Sequence, residues 1–439
     1  MTEITLPQIL KAREDRANMQ KDFLENYHCT VISFTMNIAG PVKTSPLIER
    51  AFRYGLDRIL GKIEQSSIFE CHIATPPTGC EAIIAADVNA VEFKKFCVGI
   101  EEETLLGRLF DIDVIDGQRN KLERANPRGC IVCGAPGRSC SARRVHQVDE
   151  IRKVTYGIMH DFFKNHDGDR IKELAVKCLM DEVSTTPKPG LVDRRNNGSH
   201  TDMDINTFIK SAVALGPYFK ECFIIGAENK EKNHNSFFEL LRDAGIKAER
   251  TMYNATGGVN THKGIIYSLG IICGCIGRNW SAELPFAEVG EILKECSLTA
   301  SCTAEEDFKN TGTSTAGGKA YSEFGIKGAR GEASSGFTTV SNVGLPVLKK
   351  ALGDGLDFNM AGVIALIHLI ANVDDTNLYS RGGVEGSKFA AEYALSLTDR
   401  YPSPVEAEKM DDLFISRNLS PGGCADLLAI TYFLYSIYN

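Results

Sequence analysis

Long apolar runs are missing. No stretch of about 18 consecutive apolar residues occurs, which argues against a transmembrane helix. The opening MTEITLPQILKARED has no apolar core of the secretory kind, so the chain is expected to carry no signal and to work in the cytoplasm. An excess of positive charge is missing too. A net charge of -8 disfavours non-specific nucleic-acid binding, so phosphate recognition must come from local basic clusters. Low-complexity linkers and evident repeats are absent, and 439 residues are too many for one ordinary core. Cysteine, by contrast, is plentiful, with fourteen residues. Without a signal these read as reduced thiols, and Cys178, Cys273, Cys275 and Cys296 sit among apolar neighbours as small core residues.

Two patterns divide the chain. Up to about residue 165 helix and strand signals mix: a helix over 8–26, a strand over His28–Phe34, a turn in NIAGPVK, and a helix from Pro46 to Ile63. FECHIA, AIIAADV, FCVGIE and LFDIDVID read as strands, so the expected class is α+β. From about residue 170 helical segments dominate, at 170–185, 204–222, 233–245, 262–277, 283–301, 359–373, 387–398, 405–416 and 423–437. This predicts an all-α multihelical domain whose glycine-rich loops build a site. The polar break KNHDGD marks the boundary between domains at 1–165 and 170–439.

The densest group of reactive side chains is STTPKPGLVDRRNNGSHTDMDINTFIKSA. Pro187 and Pro189 prevent a regular helix, and Gly190 permits unusual torsions. Lys188 and Arg194 offer positive charge; Asp193, His200, Asp202 and Asp204 offer acid–base or metal-ligating groups, although Asp204 can equally cap the next helix. In TGGVNTHKG, Asn260, His262 and Lys263 fall at a helix N-terminus, where free N–H groups suit phosphate. GARGE brings Arg330 and Glu332, and NVDDTNLYSRGG brings Asp374, Asp375 and Arg381. In SPGGCADLLA, Asp426 reads as a helix-start residue rather than a catalyst.

In the first half, Asp111 and Asp113 of LFDIDVID are two apart in an extended segment and share one face, as a Mg²⁺-binding pair or as a solvated strand face. Arg108 beside them and Lys43 after the NIAGP turn add cations for a phosphate-binding reading. Cys130, Cys133, Cys140 and His146 make C-x2-C-x6-C-x5-H, enough ligands for tetrahedral Zn²⁺; the other reading is a metal-free loop whose Arg138 and Arg143 meet substrate phosphates.

The motifs PKPGLVD…GSHTDMD, GVNTHKG, GARGE, DDTNL…RGG and SPGGCADLLA, in order over 170–439, resemble the triphosphoribosyl-dephospho-CoA synthase family. That resemblance implies that ATP gives its triphosphoribosyl group to the 2'-hydroxyl of 3'-dephospho-CoA with loss of adenine. Asp202, Asp204, Asp374 and Asp375 are then expected to hold Mg²⁺ or move protons, and Lys188, Arg194, Lys263 and Arg330 to bind phosphates. NIAGPVK, TGCEA, IEEETLLGRLFDIDVID and the cysteine motif, over residues 1 to about 160, resemble the citrate lyase holo-acyl carrier protein synthase family, with Ala39 where that family has proline. This second resemblance implies a nucleotidyltransferase-type activity that transfers phosphoribosyl-dephospho-CoA to a serine of the citrate lyase acyl carrier protein, the gamma subunit, releasing pyrophosphate. Each half then completes the other, because the product of the second is the substrate of the first. No nucleic acid or membrane partner is expected. Other readings are an N-glycosidic hydrolase, a nucleotide-binding regulator with a zinc interaction module, and a malonate decarboxylase assembly role for the helical half.

Overall fold

The computed structural model describes residues 3–135, 140, 143–284, 286–310, 321–323 and 325–438, with no side-chain description for 303–310. The chain forms two compact units, Met1–Asn165 with Ala282–Leu284, and His166–Ser281 with Pro285–Asn439.

The first unit is a small antiparallel sheet with helices. Helix α1 (Leu6–Tyr27) ends where His28 takes a left-handed φ of 50° and donates its N–H to the Leu24 carbonyl. Strand β1 therefore starts at Thr30 and not at His28, running Thr30–Met36. After α2 (Pro46–Leu60) come β2 (Ile68–Ala74), β3 (Glu81–Ala86), α3 (Ala90–Glu103) and β4 (Phe110–Ile115). The strand order is β2-β3-β1-β4, all pairs antiparallel. Central strand β1 is covered on both faces. Phe23 and Leu24 of α1 pack with Val31, Ile83, Ala85 and Ile115, while Phe34 stacks on Phe52 at 4.9 Å and meets Phe110 edge-on at 5.3 Å.

FCVGIE, expected as a strand, lies inside α3. The apolar residues of α3 serve a helical face: Phe93, Cys97 and Ile100 are buried at three- and four-residue spacing. The start signal is Asn89, whose Oδ1 accepts the Val91 and Glu92 N–H groups at 3.1 Å each.

The second unit is mostly helical. Helix α4 (Val148–Ser184) begins within the first unit, ends within the second and runs through KNHDGD without interruption, so that polar stretch is not a break in the backbone. Its glycine and acids are tolerated because Met159, Phe163, Ile171, Ala175, Leu179 and Val183 keep one buried stripe. Then follow α5 (Ile205–Glu228), α6 (His234–Thr256), α7 (Lys263–Asn279) and α8 (Val289–Asn310). Helices α5 and α7 cross closely: a Cβ at Gly226 would lie 2.0 Å from the Gly274 carbonyl oxygen. Two short helices, α9 (Gly328–Ser334) and α10 (Leu345–Gly353), fall where no helix was expected. Helix α11 (Phe358–Asn372) is buried along most of its length. Helix α12 (Thr376–Leu395) begins earlier than expected and kinks at Gly383, and α13 (Pro404–Ser416) and α14 (Gly422–Ser436) follow. Among the described residues no single helix is long and apolar enough to cross a membrane.

Candidate functional site

A cavity of about 1080 Å³ opens in the helical unit, lined by residues from each of the second-half motifs. It is built first by the loop after α4. The Asp193 carboxylate accepts the backbone N–H groups of Lys188 (2.8 Å), Arg195 (2.7 Å) and Asn196 (3.0 Å). Asp411 of α13, fully buried, accepts from Gly190 N (2.9 Å), Arg195 Nη1 (2.6 Å) and Asn196 Nδ2 (2.8 Å). Gly190 has φ +70°, and a Cβ there would lie 2.2 Å from the Leu419 carbonyl oxygen, so no other residue fits without movement. Held this way, buried Lys188 reaches Glu182 at the end of α4, Nζ to Oε1 2.5 Å. Burial pushes the Glu182 carboxyl up, and Lys188 opposes that shift.

Two histidines face the cavity, and the tautomer of the first is defined. Arg381 Nη2 lies 3.2 Å from His200 Nδ1, and a guanidinium only donates, so Nδ1 accepts and Nε2–H is left to donate to Ser420 Oγ at 2.9 Å. Burial and then Arg381 hold the His200 pKa down at about 4. At His262, Ser211 Oγ accepts from Thr261 Oγ1 and lies 2.7 Å from Nδ1. A hydroxyl oxygen has two acceptor sites, so Ser211 either donates to Nδ1 or accepts from Nδ1–H, and the hydrogen sits on Nε2 or on Nδ1 accordingly. That Nε2 is buried without a partner among the described residues, and burial followed by Lys188 holds the pKa at about 3.

The carboxylates gather at the starts of α12 and α14. Asp375 Oδ1 caps α12 by accepting from Asn377 N (2.7 Å) and Leu378 N (3.3 Å), while its Oδ2 accepts Cys424 N at 2.9 Å. Asp426 projects from the first turn of α14 against α7, where a Cβ on Gly264 would lie 1.9 Å from its Oδ2. Burial, then the negative charges of Glu182 and Asp375, push the Asp426 carboxyl well up. Asp374 stands exposed at the rim. Arg330 Nε and Glu332 Oε2 are buried and without hydrogen-bond partners among the described residues, and burial raises the Glu332 carboxyl. Lys263 pairs with Glu249 at 2.8 Å.

The cavity thus brings together Lys188, His200, Asn260, His262, Lys263, Arg330, Glu332, Asp374, Asp375 and Arg381 of the expected set. It does not include Asp193, Arg194, Asp202 or Asp204 in its lining. Asp193 is consumed by the loop turn; Asp204 accepts the Thr207 N–H at 2.8 Å as the N-cap of α5; Asp202 is exposed, 3.9 Å from His200. Glu182 and Asp426 were not among the expected site residues. A signal for Glu182 exists, since an acid in the last turn of α4 opposes the helix dipole and needs a partner.

The neutral state of His200 has a consequence for stability. Its folded pKa lies below the ordinary 6.5, so its contribution is present above pH 6.5 and lost as pH falls towards about 4. Urea unfolding of His200→Gln should therefore show a stability gap from wild type that shrinks by about 2–3 kcal/mol over that range.

In the first unit, Asp111 and Asp113 lie on edge strand β4 opposite Thr35 and Ser33, on the sheet face that α1 also covers. Asp111 is exposed, whereas Asp113 pairs with Lys121 at 2.6 Å. Lys43 donates to the Ile38 carbonyl and closes the NIAGPVK turn on itself; burial lowers its pKa. Arg108 Nη2 donates to the Gly129 carbonyl at 2.7 Å. Arg143 is exposed, and Arg138 lies outside the described residues. Cys130, Cys133, Cys140 and His146 come together, with their ligand atoms all within 4.8 Å of one another.

The comparisons agree with this division. The family model for apo-citrate lyase phosphoribosyl-dephospho-CoA transferase matches residues 4–162, and that for ATP:dephospho-CoA triphosphoribosyl transferase matches residues 168–439. "Protein CitXG" of Haemophilus influenzae is 34% identical over 99% of this chain and 97% of its own length. "Protein CitXG" of Leuconostoc mesenteroides is 33% identical over 98% and 97%. A "probable 2-(5''-triphosphoribosyl)-3'-dephosphocoenzyme-A synthase" of Pectobacterium carotovorum is 41% identical over 60% of this chain and 88% of its own. The chain belongs to the family of bifunctional transferases in which an apo-citrate lyase phosphoribosyl-dephospho-CoA transferase is joined to an ATP:dephospho-CoA triphosphoribosyl transferase.

Proposed function

We propose that the cavity of the helical unit joins the ribose of ATP to the 2'-hydroxyl of 3'-dephospho-CoA, and that the first unit passes phosphoribosyl-dephospho-CoA to a serine of the citrate lyase acyl carrier protein. The observation that carries the reading is the convergence of five separate loop motifs on one cavity lined by both acids and cations. In the first reaction the bond between ribose C1' and adenine N9 breaks, and a bond from C1' to the 2'-oxygen forms. Adenine takes the bonding pair and needs a proton; the attacking hydroxyl gives its own proton to an ionised carboxylate of the cavity. Asp426, whose environment favours its protonated form, is placed to give that proton to adenine. The negative charge of Glu182 and Asp375 favours the oxocarbenium-like ribose. Lys263 and Arg330 take the triphosphate, and His262, in the tautomer with its hydrogen on Nε2, adds a neutral donor to the cavity wall.

Exposed Asp374 together with triphosphate oxygens makes the kind of donor set that Mg²⁺ prefers, one or two carboxylates plus substrate phosphates. Bound there, Mg²⁺ would screen phosphate charge. In the first unit Asp111 and Asp113 fit the same cation during nucleotidyl transfer, and the fold there is of nucleotidyltransferase type in this reading. The cysteine–histidine set is given no part in either chemical step. Dependence on ATP fits a cytoplasmic site of action.

Full-length protein with ATP and 3'-dephospho-CoA should release adenine, read by chromatography, and should then add phosphoribosyl-dephospho-CoA to apo carrier protein, read by mass spectrometry. Adenine release without 3'-dephospho-CoA would indicate a hydrolase instead. Asp111→Asn should leave adenine release intact while slowing carrier labelling by about 100-fold; labelling at the normal rate would remove Asp111 from the transfer site.

A further inference from the structure

We propose that Cys130, Cys133, Cys140 and His146 hold a structural zinc ion in the first unit. Cys133 Sγ lies 3.5 Å from Cys140 Sγ and 3.3 Å from His146 Nε2. A tetrahedron with Zn–S about 2.3 Å and Zn–N about 2.0 Å has edges of about 3.5–3.8 Å, close to these separations. All the cysteines are free thiols, and with one imidazole they complete a Cys₃His set and leave no position for substrate.

The backbone is shaped for such a site. Gly134 N donates to the Cys130 carbonyl at 2.9 Å, and Cys130 N donates to the Ala135 carbonyl at 2.6 Å. This turns the chain so that the two cysteines of C-x2-C point to one place. Gly134, directly after the second cysteine, has φ +73°, and a Cβ on Gly129 would lie 2.6 Å from the Gly134 oxygen. The histidine is prepared as well. Its Nδ1 lies 3.3 Å from Glu150 Oε2 in the first turn of α4, so Nδ1–H donates to the carboxylate and Nε2 is the ligand atom. A carboxylate behind a ligating imidazole fixes its tautomer and raises its basicity.

The site has a structural task within this unit. Arg108 holds the Gly129 carbonyl at 2.7 Å, and Arg128 reaches the Phe110 carbonyl and Glu101, each at 2.5 Å. Glu101 in turn accepts Ile112 N at 3.0 Å. Those bonds attach the cysteine turn to β4 on either side of Asp111. Zinc would clamp the turn to the start of α4 and so steady the strand that carries the paired aspartates. The clamp is independent of the reaction assigned to Asp111, because it rests on ligand geometry alone.

Elemental analysis of purified full-length protein should find about one zinc per chain, retained through gel filtration. Cys133→Ser and Cys140→Ser should each lower it to under about a tenth, with adenine release by the helical unit as the check on soluble, folded protein. Should the variants fail to fold, the wild type still decides: a mercurial titrant should displace the zinc stoichiometrically, and cobalt exchanged into the site should show tetrahedral thiolate absorption. Zinc-free wild-type protein overturns the proposal, as does an intact mass two hydrogens light without metal, which would mean a disulfide. Zinc content unchanged in both variants would overturn it too.

Discussion

Asp426→Asn should slow adenine release from ATP and 3'-dephospho-CoA by about 10²–10⁴-fold, the range that a positioned acid contributes. Asparagine fills the same volume, so the close approach of Gly264 is kept. Carrier labelling from pre-formed triphosphoribosyl-dephospho-CoA should proceed unchanged. The physical reason is the environment of this carboxyl group. Burial and the charges of Glu182 and Asp375 push it up, which favours the protonated form that can release its proton to departing adenine. The same environment makes the native carboxyl a cost to the fold, so Asp426→Asn should unfold at an equal or higher temperature than wild type. A rate loss without a stability loss identifies a chemical role; a normal rate removes Asp426 from the mechanism. Gly264→Ala supplies the converse test, because its Cβ would lie 1.9 Å from Asp426 Oδ2 and force the carboxyl away.

Asp411→Ala should cost the helical unit about 3 kcal/mol, read as a lower urea midpoint of its unfolding transition. Asp411 is fully buried and accepts from Gly190 N, Arg195 Nη1 and Asn196 Nδ2, so its removal leaves three donors of one loop without their acceptor. That loop carries Lys188 and His200 into the cavity, so the substrate KM for adenine release should rise as well. The neighbouring Asp412 is the contrast. Its side chain is 64% exposed and meets Arg195 at 2.9 Å, an arrangement worth under about 1 kcal/mol. Equal effects at the two positions would mean that the buried network does not anchor the loop.

Much of the second-half site was legible because its chemistry is local. Glycines, prolines and adjacent charged residues in a loop between helices are costly for packing and useful for binding, so PKPGL, GVNTHKG and DDTN stood out from the helices around them. Sequence by itself also determined the two-part division, the helical character after residue 170 and the cysteine–histidine spacing, since these depend on periodicity and order along the chain. Asp193, Asp204 and Asp426 show where that reading ends. All three are acids near glycine turns or helix starts, yet one closes a turn, one caps α5 and one enters the cavity. FCVGIE failed similarly, because six apolar-rich residues fit a strand or part of a helix until Asn89 caps the helix. Only the tertiary structure decided these cases. Whether a carboxylate is satisfied by a nearby N–H, or left against Glu182 and Asp375 with its charge opposed, depends on which distant segments fold beside it. Those separations are set by helix packing, such as the glycine crossing of α5 and α7, and not by the neighbours of the residue in sequence.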